Sequence, residues 1–517
     1  MRILTSAGAR AFDQRAMDLG LPSLVLMENA AVGLADAIGE IFPAVREVVL
    51  FCGPGGNGGD GLALARQLAT RGYTTTSYLV FGGREAAGDL RIQLEVARGL
   101  GLELVELAPD AEPSRALAAA RRSDLLVDAL FGVGLTRPLA GLEARLVTAL
   151  SSIDVPRLAV DLPSGLSGDH STPFGPHFVA DCTVTFGTPK PAHVLFPAAA
   201  ATGRLVVADL GVPAALADEL DEPAGRGSWT TAEDAASLVI PRAQDGHKGT
   251  YGHLLIVAGG PGKAGAAVLA ARASVRGGAG LVTVAVPAPL VPVVEGGSLE
   301  SMTVALPADA AGGFGPGAGA AVLALAAGKQ AVVLGPGLGT TAGDEIRRLV
   351  VNLELPLVLD ADGLNAFAGR LDALAARRAP TILTPHPGEL ARMLGIPTNE
   401  VALDRLAAAR SAARKSGAFV VAKGAGTLVV TPEGDFHVNS TGNPGLASGG
   451  SGDVLAGLLG ALLAQGYEPL AAAVLGVYWH GLAADRLAAR VGGPAIPAGD
   501  LAAELPAAFA ALAAGEE

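Results

Sequence analysis

Short, β-branched apolar runs alternate with amphipathic stretches along most of the chain. EVVLFC (47–52) leads into the glycine-rich GPGGNGGDG. Then comes LALARQLATRG, whose apolar positions recur at helical spacing. TTTSYLVFG (74–82) predicts the next strand. DLLVDALFG (124–132) and RLAVDLPSG (157–165) repeat one design: a buried strand, an acid at its C-terminal end, then glycine. CTVTFG (182–187) and RLVVADLG (204–211) follow. Alternating strands and helices predict a mostly parallel sheet covered by helices. The segments near 100–122 and 367–379 read as Ala- and charge-rich helices.

The second half restarts the alternation. HLLIVAGG (253–260), GLVTVAVP (280–287), AVVLGPGLG (331–339), LPLVLDADGLNAF (355–367), TILTPHPGEL (381–390) and FVVAKGAGTLVV (419–430) each read as a strand entering a loop. Residues 212–245 are charged, Pro- and Gly-rich and low in strand signal, which sets a boundary there. The expected organisation is α/β in two domains, 1–218 and 226–517. No short repeat period is visible, so solenoids and propellers are not expected.

Composition narrows this picture. A chain of 517 residues is too long for one ordinary domain. Its 71 glycines and 34 prolines fit an α/β enzyme with many tight turns. A net charge of −13 argues against a nucleic-acid or anionic-membrane surface. Anionic small molecules remain open, because helix N-termini bind phosphate without a basic patch. Cys52 and Cys182 lie in strand-like runs and read as buried thiols, not as a disulfide or a metal site. The opening MRILTSAGARAFDQRAM has no signal-peptide h-region. The long uncharged stretch 277–294 is broken by Pro287, Pro289 and Pro292. A soluble cytoplasmic protein is expected.

GPGGNG (53–58) formally matches G-x-G-x-x-G after a strand. A dinucleotide fold also wants an acid ending the second strand, and TTTSYLVFGG offers none before Glu85. An ordinary nicotinamide dehydrogenase is therefore not expected. The longer GGNGGDG puts the amide of Asn57 and the carboxylate of Asp60 inside a glycine loop. There side-chain oxygens serve a cation or a sugar while backbone N–H groups hold phosphate. Asp128, Asp161 and Ser164 add oxygens at neighbouring strand ends, and such oxygens suit a hard cation. Singly each acid reads as a loop cap; three such motifs at consecutive strand ends read as a site.

GNPGLASGGSGDVLAG (442–457) sets six glycines around a single acid, Asp453, just before a helical run. Unpaired N–H groups at a helix start favour phosphate. An acid there suits removal of a proton from a hydroxyl that then attacks phosphate. An acidic helix cap is the other reading. His386 sits between two prolines in a strand-end loop, a placement that favours a ligand contact over a structural role. The remaining histidines show no HExxH or similar spacing, so no zinc site is expected.

LMENAA (26–31), GPGGNGGDG, VDALFGVG, VDLPSG and TFGTPKPAH together resemble the NAD(P)H-hydrate epimerase domain over roughly residues 1–215. The resemblance implies a Rossmann-like three-layer α/β/α domain. It would interconvert the R and S epimers of NAD(P)H hydrated at C6 of the nicotinamide ring. Potassium would be held by Asn57, Asp128 and Ser164. Substrate would meet Gly56, Asn57, Gly58, Gly59 and Asp60. It would also meet Gly132, Val133, Gly134, Leu135, Thr136, Arg137 and Pro138, together with Asp161. Asp161 would be the main acid/base group. Lys190 is a candidate second participant, with a plain solvated lysine as the other reading. The family usually has Asn-Asn before GGDG. Here the first is Gly56, which removes one side-chain contact and leaves Asn57.

The run HKGTYGHLLIVAGGPGKAGAAVLAARASVRGGAGLVTV (247–284) opens a second resemblance. It continues through GPGLG (335–339), LDADGLNAF (359–367), TPHPGE (384–389), KGAGT (423–427) and NPGLASGGSGD (443–453). These motifs resemble the ADP/ATP-dependent NAD(P)H-hydrate dehydratases, of ribokinase-like α/β fold, over nearly all of 226–517. By that likeness Asp453 deprotonates the C6 hydroxyl of the S hydrate. The hydroxyl takes phosphate from ADP or ATP, and phosphate then leaves to restore NAD(P)H. Gly449, Gly450 and Gly452 would form the anion hole. Lys423, Gly424, Ala425, Gly426, Thr427 and Gly452 would hold the nucleotide. Ala267, Gly337 and His386 would contact the hydrated nicotinamide part. Magnesium would enter with the nucleotide, with Asp360 and Asp362 as candidates for its water shell or as turn caps. The resemblance further implies a homo-oligomer acting on small molecules, without a nucleic-acid or membrane partner. The alternative is a ribokinase-like kinase of hydroxymethylpyrimidine or a thiazole alcohol beside a non-catalytic N-terminal binding domain. A stable phosphorylated product would mark it.

Overall fold

A computed structural model describes residues 1–220 and 225–515 of the chain. They fall into two compact units, one within residues 2–223 and the other within 224–517. Of the expected boundary stretch 212–245, residues 221–224 lie outside the described residues.

The first unit is built on a seven-stranded sheet. Its strands are β1 (Glu47–Cys52), β2 (Thr74–Leu79), β3 (Glu103–Glu106), β4 (Leu125–Ala129), β5 (Arg157–Val160), β6 (Cys182–Phe186) and β7 (Arg204–Ala208). The order is β3-β2-β1-β4-β5-β6-β7, with every pairing parallel. Chain order reverses between β1 and β4, the switch point where such sheets bind ligands. The register sets Cys52 beside Ala129 and Asp128 beside Ala159, so the ends of β1, β4 and β5 are flush. Two buried apolar clusters cover the sheet. One is centred on Leu50, Leu64 and Leu68, the other on Phe51, Leu126 and Leu146. Phe51 stacks on Tyr78 at 5.3 Å between ring centroids. Cys52 and Cys182 are free and buried, as expected.

Helices α1 (Ser6–Asp18), α2 (Ser23–Ile41) and α3 (Gly56–Thr70) matter most for the site. Helix α3 starts inside the glycine loop after β1. A Cβ at Gly58 would sit 1.9 Å from the carbonyl oxygen of Gly53. Only glycine lets the helix start this close to the strand it follows.

The second unit has strands β8 (Gly227–Thr230), β9 (His253–Val257), β10 (Leu281–Pro287), β11 (Met302–Leu306), β12 (Ala331–Leu334), β13 (Leu357–Leu359), β14 (Thr381–Leu383), β15 (Phe419–Ala422), β16 (Leu428–Val430) and β17 (Phe436–Asn439). They run in the order β8-β17-β16-β15-β14-β13-β12-β9-β10-β11. From β15 through to β11 the pairings are parallel; β15-β16 and β16-β17 are antiparallel. Helices α4 (Ala264–Arg276), α5 (Pro387–Leu394), α6 (Ser451–Ala464), α7 (Pro469–Val491) and α8 (Ala498–Ala514) complete what the site needs. From Val454 to Ala464 every residue of α6 is buried. A helix apolar on all sides belongs in a core. Its five leucines contribute roughly 1.5–3 kcal/mol each as an upper estimate. Ser274 Oγ of α4 donates to the Gly457 carbonyl of α6 at 2.8 Å.

Three expectations need correction. Residues 103–106 form strand β3, not helix, because edge pairing with β2 satisfies their backbone. The stretch near 367–379 holds only a 3₁₀ turn, Leu371–Ala376. The low-strand boundary stretch contains β8, whose backbone is recruited by parallel pairing with β17. Such pairing outweighs weak local propensity. Among the described residues no single helix is long and apolar enough to cross a membrane.

Two substitutions in one loop test the packing. At Gly56 a Cβ would meet nothing within 4 Å. Gly56→Ala is expected to change stability by no more than about 0.5 kcal/mol. Gly58→Ala is expected to cost about 1–3 kcal/mol through overpacking. Urea unfolding of the full-length chain, followed through the N-terminal unit, separates the two.

Candidate active sites

The first unit encloses a cavity of about 520 Å³ at the switch point. Of the expected residues, Gly56, Asn57, Asp60, Asp161 and the loop residues Gly132, Val133, Gly134 and Leu135 line it. Gly58 and Gly59 turn inward, against Gly53 and Met27. Thr136, Arg137 and Pro138 lie further along the same loop and are not part of the lining.

Asp161 directly follows β5 and holds φ at +61°, a left-handed conformation rare for a residue with a side chain. Its Oδ1 accepts hydrogen bonds from Lys190 Nζ and Thr185 Oγ1, both at 2.9 Å. Lys190 Nζ also donates to Thr185 Oγ1 at 2.8 Å. The backbone N–H of Lys190 donates to His193 Nδ1 at 3.0 Å, so the ring proton sits on Nε2. Nε2 donates to the Asp161 carbonyl at 2.7 Å. Burial pushes the His193 pKa down to about 4, so the ring is neutral. Burial alone would raise the Asp161 carboxyl. The Lys190 ammonium and the hydrogen bonds to Oδ1 outweigh it and hold the group below its usual value. Lys190 is 3% exposed, which removes the solvated-lysine reading.

Asp161 Oδ2 lies against Gly132: a Cβ there would be 2.8 Å from it and 3.2 Å from Asn57 Oδ1. Among the described residues, both polar atoms of the buried Asn57 side chain have no hydrogen-bond partner. Asp128 and Ser164 satisfy each other, Ser164 Oγ donating to Asp128 Oδ1 at 2.7 Å and Ser164 N–H to Oδ2 at 2.8 Å. Burial raises the Asp128 pKa to about 6. Asp60 is raised well above its ordinary value, by burial and then by Asp161, Asp13 and Asp89.

In the second unit the register aligns Leu334, Leu359 and Leu383, with Leu383 beside Val420. The residues after these strands therefore meet. Lys423 Nζ donates to Asp360 Oδ1 at 3.0 Å and lies 3.9 Å from Glu389 Oε2. Thr384 Oγ1 donates to the same Asp360 oxygen at 2.6 Å. Burial would lower the Lys423 pKa, but Asp360, Glu389 and Asp453 raise it overall. Lys423 Nζ is 3.3 Å from where a Cβ on Gly452 would be, which puts the charge beside the glycine loop. Asp453, in the first turn of α6, is pushed up to about 6 by burial and by Asp360, against Lys423.

The loop itself is held from outside. Gly450 caps α6 at φ +94°, where a side chain would be strained and would strike Leu269. His480 of α7 pairs its Nε2 with the Ser451 carbonyl at 3.0 Å. Asp485 accepts from the Gly442 N–H at 2.7 Å and from Asn443 Nδ2 at 2.8 Å. Ser448 Oγ donates to the Ile496 carbonyl at 2.9 Å. Arg405 reaches across the 424–427 loop to the carbonyls of Ala425 and Gly426, and Thr427 Oγ1 donates to the Gly424 carbonyl at 3.0 Å.

His386 caps α5: its Nδ1 accepts from the N–H groups of Gly388 and Glu389, and Glu389 Oε2 accepts from the His386 N–H at 2.8 Å. The imidazole is half exposed and its pKa is lowered, chiefly by burial. Gly337 packs against the 260–266 loop at φ +68°. Ala267 is fully buried beneath Gly259. Asp362 accepts from Lys263 Nζ at 3.0 Å and from the Gly339 N–H at 2.8 Å. Sequence reasoning missed Asp13, Asp89, Thr185, His193, Glu389, His480 and Lys263. Only Glu389 carried a signal, its place in the capping box begun by His386.

Known proteins resemble this chain over nearly its full length. Residues 254–507 match the family model described as NAD(P)H-hydrate dehydratase, and 23–192 match that of the YjeF-related protein N-terminus. The bifunctional NAD(P)H-hydrate repair enzyme of Moorella thermoacetica is 39% identical over 515 residues, covering 98% of this chain and 96% of its own. That of Escherichia coli is 34% identical over 484 residues, covering 93% and 89%. The crystal structure of the ADP/ATP-dependent NAD(P)H-hydrate dehydratase from Bacillus subtilis with ATP and magnesium is 30% identical. It covers 55% of this chain and 98% of its own, with a TM-score of 0.47. The chain belongs to the family of bifunctional NAD(P)H-hydrate repair enzymes.

Proposed function

We infer that residues 1–218 interconvert the R and S epimers of hydrated NADH and NADPH. Residues 226–517 dehydrate the S epimer at the expense of ADP or ATP, with AMP and phosphate as products from ADP. The observation that carries the dehydratase reading is Asp453 in the first turn of α6, behind a glycine loop braced from outside and beside the partly buried Lys423. Asp453 takes the proton of the C6 hydroxyl, and the oxygen attacks the terminal phosphorus of the nucleotide. The N–H groups of Gly449, Gly450 and Gly452 receive the developing charge. The ring-nitrogen lone pair then expels phosphate from C6, and loss of a C5 proton restores the double bond. The loop 423–427 holds the nucleotide, and His386, Gly337 and Ala267 border the hydrated ring. Family membership favours this reading over a small-molecule kinase.

Magnesium enters with the nucleotide phosphates and neutralises their charge. Asp362 does not fit its water shell, because Lys263, Gly339 and Asn365 already engage both oxygens. Asp360 fits better, since Lys423 and Thr384 share Oδ1 alone. In the first unit the unpartnered amide of Asn57 suits a potassium ion, with Asp128 and Ser164 completing the oxygen set. Potassium would supply positive charge beside the dinucleotide. Asp161 is the acid/base group there, with Lys190 fixing its charge and Thr185 its orientation. A homo-oligomer in the cytoplasm completes the proposal.

Asp453→Asn is expected to lower NADH recovery from the pure S hydrate by about 10²–10⁴-fold while ADP binding persists. Wild-type kcat/KM for the S hydrate should fall as pH drops through about 6, because the base must be ionised. Near-wild-type turnover by the variant would remove Asp453 from the chemistry. Asp161→Ala should stop consumption of the R epimer and spare the S epimer, as read by chromatography of both forms.

A further inference from the structure

The helix that opens the chain supplies a carboxyl to the epimerase cavity that no motif foretold. Ala9, Asp13 and Met17 follow one another at i, i+4 and i+8, and all three line the cavity. The helix is fixed there from two sides. Phe12 is buried, with its ring edge 3.0 Å from where a Cβ on Gly187 would be. The Leu4 N–H donates to the Pro189 carbonyl at 3.1 Å, one residue before Lys190. Helix α1 also lies outside residues 23–192, the part that matches the N-terminal family model.

Epimerisation at C6 moves the hydroxyl from one face of the nicotinamide ring to the other. Its proton must leave on one face and return on the other. A single carboxyl fixed in place serves one face, and Asp161 is fixed by Lys190, Thr185 and its own backbone. We propose that Asp13 is a second catalytic carboxyl of this site, serving the ring face opposite Asp161. The proposal rests on the epimerase reading of the cavity.

The step balances without a co-reactant. One carboxylate takes the hydroxyl proton, and the O–H electron pair becomes the C6=O bond. The C6–N1 bond breaks, its pair passing to N1 and into the adjoining enamide. Rotation about C5–C6 turns the carbonyl over. The N1 pair closes on the other face, and the oxygen takes a proton from the second carboxyl. One carboxyl has gained a proton and the other has lost one; exchange with solvent resets them. In the reverse direction the roles exchange.

The charged groups around Asp13 are Asp60 of α3, Asp89 of the helix Gly88–Gly99, Arg84 of the preceding loop, Asp161 after β5 and Lys190 after β6. Burial raises the Asp13 pKa to about 6, with Asp161 adding to the rise and Lys190 opposing it. Asp161 is held low by comparison. The pair works while holding one proton and loses it as pH rises through about 6.

The test uses the full-length chain and separated R and S hydrates of NADH. Wild type should convert R to S with a kcat/KM that falls as pH rises through about 6. Asp13→Asn should lower kcat roughly a hundredfold or more, with KM within about threefold and the limb near pH 6 absent. Asp13→Glu should restore most of kcat and the limb. Recovery from the S hydrate alone, which needs only the second unit, reports on the rest of the chain. Wild-type kcat in Asp13→Asn, or a loss confined to KM with the limb unchanged, would overturn the proposal. If wild type fails to convert R at all, the epimerase reading falls first and takes the proposal with it.

Discussion

Parallel strands that end flush are the constraint on which both sites depend. A parallel register fixes where each strand stops relative to its neighbours, and residues far apart in sequence then share one edge. Asp128 and Ser164 meet because β4 and β5 pair with Asp128 beside Ala159, which brings the loop after β5 over the end of β4. Asp360, Thr384 and Lys423 meet because β13, β14 and β15 stop within two residues of one another. A slip in any of these pairings would turn side chains to the wrong face and scatter the site.

Each unit then repeats one electrostatic device. A buried strand-end aspartate is paired with a lysine from beyond another strand end: Asp161 with the buried Lys190 at 2.9 Å, and Asp360 with the partly buried Lys423 at 3.0 Å. A hydroxyl shares the same carboxylate oxygen in both cases, Thr185 in one and Thr384 in the other. Removing one partner of the buried Asp161–Lys190 pair leaves an uncompensated charge, at a cost of about 3–5 kcal/mol. The two pairs serve different ends. The first holds the reacting carboxylate itself ionised. The second holds a cation beside the glycine loop, while the reacting acid, Asp453, is raised by burial and by Asp360 against the pull of Lys423.

The strands and the strand-end motifs were readable from sequence because local pattern and local chemistry coincide there. Apolar runs ending in acid and glycine announced β4, β5 and β13, and an apolar run entering a glycine loop announced β1. What the sequence could not give depends on tertiary pairing. ELVE (103–106) and GSWT (227–230) are strands only because a neighbour completes their hydrogen bonds. Thr185, Lys190 and His193 reach Asp161 through contacts across 24 to 32 residues, which no spacing rule encodes. Asp13 carried no motif of its own, and the packing of Phe12 against Gly187 is what holds its helix to the cavity. His386 looked like a free ligand, yet half of its ring is committed to capping α5.

The two reactions complement each other chemically: the second site accepts one epimer, and the first makes that epimer from its mirror form at C6. The most direct test follows the reduced-nicotinamide absorbance band while the full-length chain acts on a mixture of R and S NADH hydrates with ADP, Mg²⁺ and K⁺. The account predicts recovery of all the NADH, with the R fraction slowed when K⁺ is replaced by a larger organic cation. Recovery that stops at the S fraction with K⁺ present would contradict it.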